Sequence, residues 1–239
     1  MLALVILIAT SPEPSQLLDA GAVTITKWTY QKPGLALAGA IDEKKTRVIY
    51  TLRGEFDVSI EAGPPQRLLE GEVLYLTPGL RYALTADARA HLATPPIVIT
   101  FDVTADEGTN LDVRSLKIRT AEHVNHTIAG GAGTAAVLLD RMNLGHGSFA
   151  LSRLTMRAGA EVPRHVHESA DEILLAVEGE AFMLVAGTAA KLVAGEAVRI
   201  PKGTEHSARV PKRFTALQIY APSGPEQRFK SAPVAGPAK

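Results

Sequence analysis

Four side chains in the second half of the sequence are of the types that bind divalent metal ions. His165 and His167 are separated by one residue, so on an extended strand both imidazoles would leave the same face. Glu172 follows a short polar break and opens an apolar run, and a Pro-x-Gly turn precedes His206. Three imidazoles and one carboxylate form a donor set that suits first-row divalent metals. We therefore predict a metal site; the alternative is that these histidines are ordinary surface or core residues.

The elements that would position these ligands are β-strands. The layout around His165 and Glu172 predicts a strand, a turn and a second strand, which returns the carboxylate to the imidazoles. Short apolar or alternating runs broken by Gly and Pro continue along the chain, which is typical of an all-β protein with little helix. The predicted strands cover residues 23–30, 47–52, 73–76, 97–103, 135–139, 149–156, 173–177, 181–185, 197–200 and 215–220. Helical turns are expected only near residues 15–20, 120–124 and after Pro225.

The ligand spacing resembles that of the cupin family, which has two characteristic motifs. The first corresponds here to Gly159, His165, His167, Glu172 and Gly179, and the second to Gly195, Pro201, Gly203 and His206. The family often has Asn where this sequence has Val210, a departure that touches no ligand. The resemblance implies a jelly-roll β-barrel that holds one divalent ion (Fe, Mn, Ni, Zn or Co) with one or two open coordination positions.

An internal repeat predicts two such barrels, as in a bicupin. A shift of 125 residues places Gly159 on Gly34 and Gly179 on Gly54. His165, His167 and Glu172 then fall on Ala40, Asp42 and Arg47, and with one inserted residue, which aligns Gly203 with Gly79, His206 falls on Tyr82. A guanidinium at the cation's place excludes a comparable metal site. The first copy is therefore interpreted as a scaffold; alternatively Arg47 and Tyr82 hold an anion, or Asp42 pairs with Arg47.

These observations divide the chain into four parts. Residues 1–105 form a degenerate N-terminal barrel, 106–134 a linker, 135–230 the metal-binding barrel and 231–239 a flexible tail. The linker contains His123, His126 and the Gly-rich run 129–134, which lacks the order of a phosphate-binding loop. We expect a flexible connector there, and we expect the two barrels to pack through their outer sheets.

Composition excludes several classes of protein. The 239 residues carry 25 basic and 25 acidic side chains, which gives nucleic-acid binding no electrostatic support. With no cysteine there can be no disulfide or thiolate site. No apolar run is long enough to span a membrane as a helix. Residues 2–9 are interpreted as a buried strand, and the protein as cytoplasmic; the alternative is a signal peptide and a secreted or periplasmic protein. A homodimer is expected as well.

The barrel interior should bind a small organic molecule. With the His165 face taken as inward, the predicted lining is Met156 or Leu154, Leu174, Ala176, Phe182, Leu184, Gln218 and Tyr220. Arg153 either binds a substrate carboxylate or lies outside the barrel. The family resemblance implies a metal-dependent enzyme. A dioxygenase-like oxidoreductase is the first hypothesis for its reaction, and an isomerase or a lyase is the second. Bicupins with one intact site resemble oxygenase-like proteins and many bacterial ones. The alternative is a non-catalytic binding protein whose metal is structural or holds a ligand.

Overall fold

The protein is built almost entirely of β-strands. The computed structural model describes residues 11–32, 34–87, 94–105 and 113–235. Its first ten strands are β1 (Glu13–Asp19), β2 (Val23–Thr29), β3 (Ala36–Ala40), β4 (Lys45–Arg53), β5 (Phe56–Ile60), β6 (Gln66–Leu68), β7 (Glu72–Leu76), β8 (Arg81–Ala86), β9 (Ile97–Thr104) and β10 (Ser115–Arg119). The next ten are β11 (His126–Ile128), β12 (Gly133–Leu139), β13 (Ala150–Met156), β14 (Glu161–His165), β15 (Asp171–Glu178), β16 (Glu180–Val185), β17 (Thr188–Val193), β18 (Ala197–Ile200), β19 (His206–Arg209) and β20 (Phe214–Ala221).

Helix is confined to short pieces in the described part of the chain. These are α1 (Arg141–Leu144), α2 (Gln227–Lys230) and the 3₁₀ turns Thr120–Glu122 and Ala129–Gly131. No described helix has the length and hydropathy to span a bilayer. The predicted all-β class is confirmed, and each of the ten predicted strands overlaps an observed one.

The two halves repeat one sheet topology. In the first half, a sheet ordered β1-β2-β9-β4-β7-β10 faces a sheet ordered β3-β8-β5-β6. In the second half, the orders are β11-β12-β13-β20-β15-β18 and β14-β19-β16-β17. Apart from the added edge strands β10 and β11, the orders correspond strand for strand, so the chain consists of two jelly-roll barrels as the repeat predicted.

Three hydrophobic cores hold these layers together. One fills the N-terminal barrel around Tyr30, Phe56 and Leu84, and a second fills the C-terminal barrel around Leu154, Met183 and Phe214. The third lies between the two six-stranded sheets and includes Tyr50, Tyr75 and Phe101 from the first half and Phe149, Leu151 and Ile219 from the second. The barrels therefore pack through their large sheets, as expected. Burial of this interface supplies the association free energy.

One local prediction was wrong, and one short helix was missed. Residues 15–20 do not form a helical turn, because β1 pairs along β2 from Glu13 opposite Thr29 to Asp19 opposite Thr24. Main-chain pairing to a neighbouring strand thus overrides the weak helical preference of this stretch. Helix α1 was not predicted; the Asp140 carboxylate caps it by accepting a hydrogen bond from the Met142 amide at 3.1 Å.

The stretch predicted to be a linker contributes strands to both barrels. Strand β10 pairs with β7 of the first barrel, and β11 pairs with β12 of the second. Residues 115–119 and 126–128 are therefore tied into the sheets by ladder hydrogen bonds rather than forming a free connector. The domain boundaries at residues 105, 134 and 230 stay a prediction. The apolar segment 2–9 lies outside the described residues.

Candidate metal centre

Strands β14, β15 and β19 of the C-terminal barrel, with the loop after β14, position the predicted ligands close together. His165 ends β14 and lies opposite His206, the first residue of β19. His167 follows two residues later, where its carbonyl accepts a hydrogen bond from the Gly203 amide at 2.9 Å. Glu172 is the second residue of β15, directly opposite Tyr220 of β20. The loop between His167 and Glu172 returns the chain, as the sequence predicted.

The four side chains converge in space. One potential ligand atom from each of His165, His167, Glu172 and His206 lies within 4.8 Å of the others. The Oε2 atom of Glu172 is 2.9 Å from Nε2 of His206 and 3.1 Å from Nε2 of His167. The rings of His165 and His206 are 4.1 Å apart between centroids. Within the described part of the chain, this is the single group of such residues arranged to hold a metal ion.

Hydrogen bonds to the other ring nitrogen orient two of the imidazoles. Nδ1 of His165 is 2.9 Å from the Pro163 carbonyl oxygen, and Nδ1 of His206 is 2.9 Å from the Thr204 carbonyl oxygen. A carbonyl can only accept, so each Nδ1 carries the proton that it donates. Each neutral ring then presents the lone pair of Nε2 to the centre, the tautomer that metal ligation requires.

The chemistry of the donor set fits a cation. With Nδ1 of His206 protonated, Nε2 of the neutral ring and Oε2 of Glu172 are two acceptors only 2.9 Å apart. Such a pair is repulsive unless a proton or a metal ion lies between the two atoms. Both groups are buried, so solvent does little to screen that repulsion.

Glu172 is the most strongly perturbed acid of the site. Burial acts to raise its pKa, but the close contacts of its carboxylate with His167, His206 and Gln218 outweigh burial and lower it to about 2. Burial likewise acts to lower the pKa of His206, and the hydrogen bond to Glu172 reverses this and raises it. Burial lowers the pKa of His165. The centre thus combines an ionised carboxylate with an imidazole, His165, that favours its neutral form.

A second layer of polar side chains supports the centre from β20. Nε2 of Gln218 donates to Oε1 of Glu172 at 2.5 Å and to the Tyr220 hydroxyl at 2.9 Å. The Tyr220 hydroxyl also lies 3.3 Å from Nε2 of His167. Gln218 and Tyr220 are buried, so this network holds the carboxylate in one orientation.

A cavity of about 280 Å³ opens beside the centre. His165, Glu172 and His206 form one end of it, and its remaining wall is mostly apolar. The larger apolar side chains in that wall are Leu154, Met156, Leu174, Met183, Phe214 and Phe229. An apolar cavity with a few polar groups at one end is the usual form of a small-molecule site.

The strand β16 was assigned the wrong inward face. Phe182 and Leu184 do not line the cavity; Ala181 and Met183 do. Phe182 faces outward, where Lys191 and Arg209 lie 5.7 and 5.3 Å from its ring centroid. The sequence could not show this because β16 is apolar on both faces, so it has no alternation to read. The other lining predictions on β13, β15 and β20 are consistent with the cavity and barrel core.

Two further assignments concern arginines. Arg153 shares the outward face of β13 with Leu151, whose side chain packs in the core between the barrels, so it lies outside the cavity. Arg228 and Phe229 of α2 line the cavity and were not predicted. No periodicity or motif marks the segment Gln-Arg-Phe-Lys; only the packing of α2 over the barrel brings it to the site.

The equivalent place in the N-terminal barrel is filled by an ion pair. Arg47 donates to both carboxylate oxygens of Asp102, from Nε at 2.6 Å and from Nη2 at 2.7 Å, and to the Tyr82 hydroxyl at 2.6 Å. Asp42, considered as the partner of Arg47, instead accepts from the Lys44 amide at 2.7 Å. Because Asp102 already neutralises the guanidinium, this barrel supports the scaffold interpretation over an anion pocket.

Fold and site together define the class: a two-barrel β protein in which one barrel presents a three-histidine, one-carboxylate group to an internal cavity. Residues 152–220 match the family model described as "Cupin domain", and this segment contains the four predicted ligands. The C-terminal barrel is therefore a cupin domain, and the chain as a whole has the bicupin fold. No significant match was found among curated protein sequences.

Solved structures share this fold at low sequence identity. A cupin 2 conserved barrel domain protein from Leptotrichia buccalis is 14% identical, with 90% of each chain covered and a TM-score of 0.60. Bacillus subtilis oxalate decarboxylase, described with Mn(II) centres, is 14% identical, with 89% of this chain and 76% of that chain covered and a TM-score of 0.65. Pumpkin seed globulin is 10% identical, with coverages of 90% and 86% and a TM-score of 0.68. At such identities the likeness concerns the fold.

Proposed function

We propose that this protein is a metal-dependent enzyme that acts on a small organic molecule in its C-terminal barrel. His165, His167, Glu172 and His206 would be the ligands of one divalent ion. The observation that carries the proposal is the convergence of these four groups within 4.8 Å at the end of a mostly apolar cavity. A purely structural ion would not need a cavity of about 280 Å³ against three of its ligands.

The residues of the chain prepare the site in distinct ways. Gln218 fixes the Glu172 carboxylate, and the carbonyls of Pro163 and Thr204 fix the tautomers of His165 and His206. The apolar wall excludes water, which strengthens electrostatic interactions inside the cavity. When bound, the metal ion would supply Lewis-acid chemistry, or redox chemistry if it is iron or manganese.

Dioxygenase chemistry is the reaction class that we propose to test first. Four protein ligands leave a five- or six-coordinate ion one or two positions for substrate or dioxygen. Apart from the predicted ligands, the cavity presents no carboxylate, lysine or cysteine among the described residues, so acid–base catalysis by side chains has few candidates. Because the structurally similar oxalate decarboxylase is described with Mn(II) centres, manganese is included among the metals to be tested, and a lyase reaction among the reactions.

Metal analysis comes first in the test. The protein is purified, loaded separately with Fe(II), Mn(II), Ni(II), Co(II) and Zn(II), and analysed for bound metal by mass spectrometry. We expect one ion per chain in the wild type and in the control His123→Ala, whose histidine lies outside the group. His165→Ala and Glu172→Ala should retain a folded β structure and lose the ion. Stoichiometric metal in either variant would contradict the ligand assignment.

Activity is then measured with each loaded form. Oxygen consumption and product formation are followed with a panel of phenols, 1,3-diketones and small carboxylic acids. Turnover that is present in the wild type and lost in the metal-free variants would support the enzyme. Failure of every loaded form to convert any compound would count against it.

A binding protein without turnover is the second candidate. The observation that favours it is the shortage of other catalytic side chains in the cavity wall. It predicts that ligands raise the melting temperature without being converted, as expected when a ligand binds only the folded state. Reproducible product formation at the site would exclude it.

A further inference from the structure

Arg228 is a cation at the wall of the cavity, and no carboxylate of the described residues pairs with it. It lies on α2, and its Nη2 atom is 3.2 Å from the Tyr220 hydroxyl and 3.3 Å from Nε2 of His167. Within the described part of the chain, Arg228 forms no ion pair. A guanidinium carries five N–H donors in a planar fork, and these two partners use only one nitrogen.

The position of Arg228 creates an unbalanced charge. Nε2 of His167 is one of the proposed ligand atoms, so a divalent ion bound there would face a second cation close by. Glu172 offsets only one positive charge, and neutral imidazoles offset none. An anion placed between the ion and the guanidinium would relieve this repulsion, because each cation would then face negative charge.

The rest of the wall limits which anion would fit. The cavity of about 280 Å³ is lined by Leu154, Met156, Met183 and Phe229, which favour an apolar body. A single arginine matches one carboxylate through two parallel hydrogen bonds, whereas a phosphate would bring a further charge that no second arginine or lysine among the described lining residues offsets.

From these observations we propose that the cavity binds a small monocarboxylate with an apolar body, and that Arg228 is the residue that binds its carboxylate. This inference rests on the proposed metal site and names the substrate class for it. Arg228 is a specificity-determining residue in this account, and α2 is the element that brings it to the barrel.

The test compares carboxylates with their neutral amides. Acetate, hexanoate and benzoate, and the corresponding amides, are titrated calorimetrically into Mn(II)-loaded wild type, Arg228→Gln, Arg228→Lys and the control Arg209→Gln. Arg209 lies on β19 with its guanidinium outside, over the Phe182 ring. Metal content and the urea midpoint of every variant are measured first, so that loss of metal or of fold is recognised before binding is compared.

In the wild type and Arg209→Gln, hexanoate or benzoate should bind at least about tenfold more tightly than its amide, the size expected for hydrogen bonds to a charged group. Acetate should bind more weakly, because it lacks an apolar body. Arg228→Gln should reduce the preference to less than about threefold, and Arg228→Lys should restore part of it. Equal preference in the wild type and Arg228→Gln, or no binding of any carboxylate, would overturn the inference while leaving the metal site in place.

The metal-free protein separates the two proposals. If the wild type takes up no metal, the proposed function fails, and the same titrations are made without Mn(II). The cavity and Arg228 remain, so a weaker preference for carboxylates that Arg228→Gln removes would support the inference. If the metal-free wild type shows no preference for carboxylates over amides, the inference about Arg228 is overturned as well.

Discussion

Gly179 tests the connection between β15, the strand that carries Glu172, and β16 in the facing sheet. The residue joins β15 to β16 with a φ of 78°, and a Cβ built on it would lie 2.1 Å from the carbonyl oxygen of Arg213. The obstructing atom belongs to the backbone just before β20, so it cannot rotate away. Gly179→Ala therefore requires the turn or β20 to move.

A matched substitution isolates this contact. Gly187 has the same φ of 78° in the turn between β16 and β17, and a Cβ there would have no neighbour within 4 Å. Gly187→Ala should cost about 1–2 kcal/mol, the penalty for a left-handed alanine. Gly179→Ala adds the cost of overpacking, about 1–3 kcal/mol, which gives roughly 2–5 kcal/mol in total.

Urea denaturation of the two variants and the wild type measures the difference. All three are stripped of metal with a chelator so that metal binding does not add to the free energy of unfolding. With a urea slope of about 2 kcal/mol per molar, we expect the midpoint of Gly179→Ala to lie about 1 M below that of Gly187→Ala. Equal midpoints would refute the reasoning, since the backbone contact would then carry no cost.

Three other predictions concern side chains around the site and the fold. Gln218→Leu should weaken metal binding about 10–100-fold, measured by competition with a chelator, because Glu172 loses the amide that orients it; unchanged affinity would remove Gln218 from the site. Asp140→Asn should lower the free energy of unfolding by about 1–3 kcal/mol at pH 7, since Asp140 accepts from Lys230 at 2.6 Å and from Gln227 at 2.7 Å. Its hydrogen bonds outweigh burial and lower its pKa, so this stabilisation is fully present above the unfolded value near 4 and is lost progressively as pH falls from there through the lower folded value; a gap between variant and wild type that does not begin to narrow below about pH 4 would contradict this. Arg47→Met should leave the metal content unchanged while lowering the urea midpoint, because Asp102 is left without its partner, and Arg47→Met/Asp102→Leu should recover part of the loss; a change in metal content would place Arg47 in the metal site.

Much of the fold and the site could be predicted because the responsible signals are local. The glycines at fixed intervals define turns, and the runs between them have the length and composition of strands. The sequence spacing of His165, His167 and Glu172 is one that a strand, a turn and a second strand bring close together in space. A further turn does the same for His206. The loss of those types at Arg47 and Tyr82 likewise indicated that the first barrel lacks a comparable site.

Other features depended on contacts between distant segments. The inward face of β16 could not be read because its five apolar residues in succession show no period, and the outward place of Phe182 depends on Lys191 and Arg209 from two other strands. Residues 15–20 were misjudged because their strand conformation comes from pairing with β2.

The sequence by itself determined the two-barrel architecture, the four candidate ligands and the absence of such a set from the first copy. Each of these depends on residue types at short, regular spacings. Tertiary structure alone decided that Asp102 neutralises Arg47, that Gln218 orients Glu172 and that Arg228 reaches the cavity. Those contacts join residues 46 to 61 positions apart, and the geometry of chain segments so far apart is set by how the sheets and α2 pack.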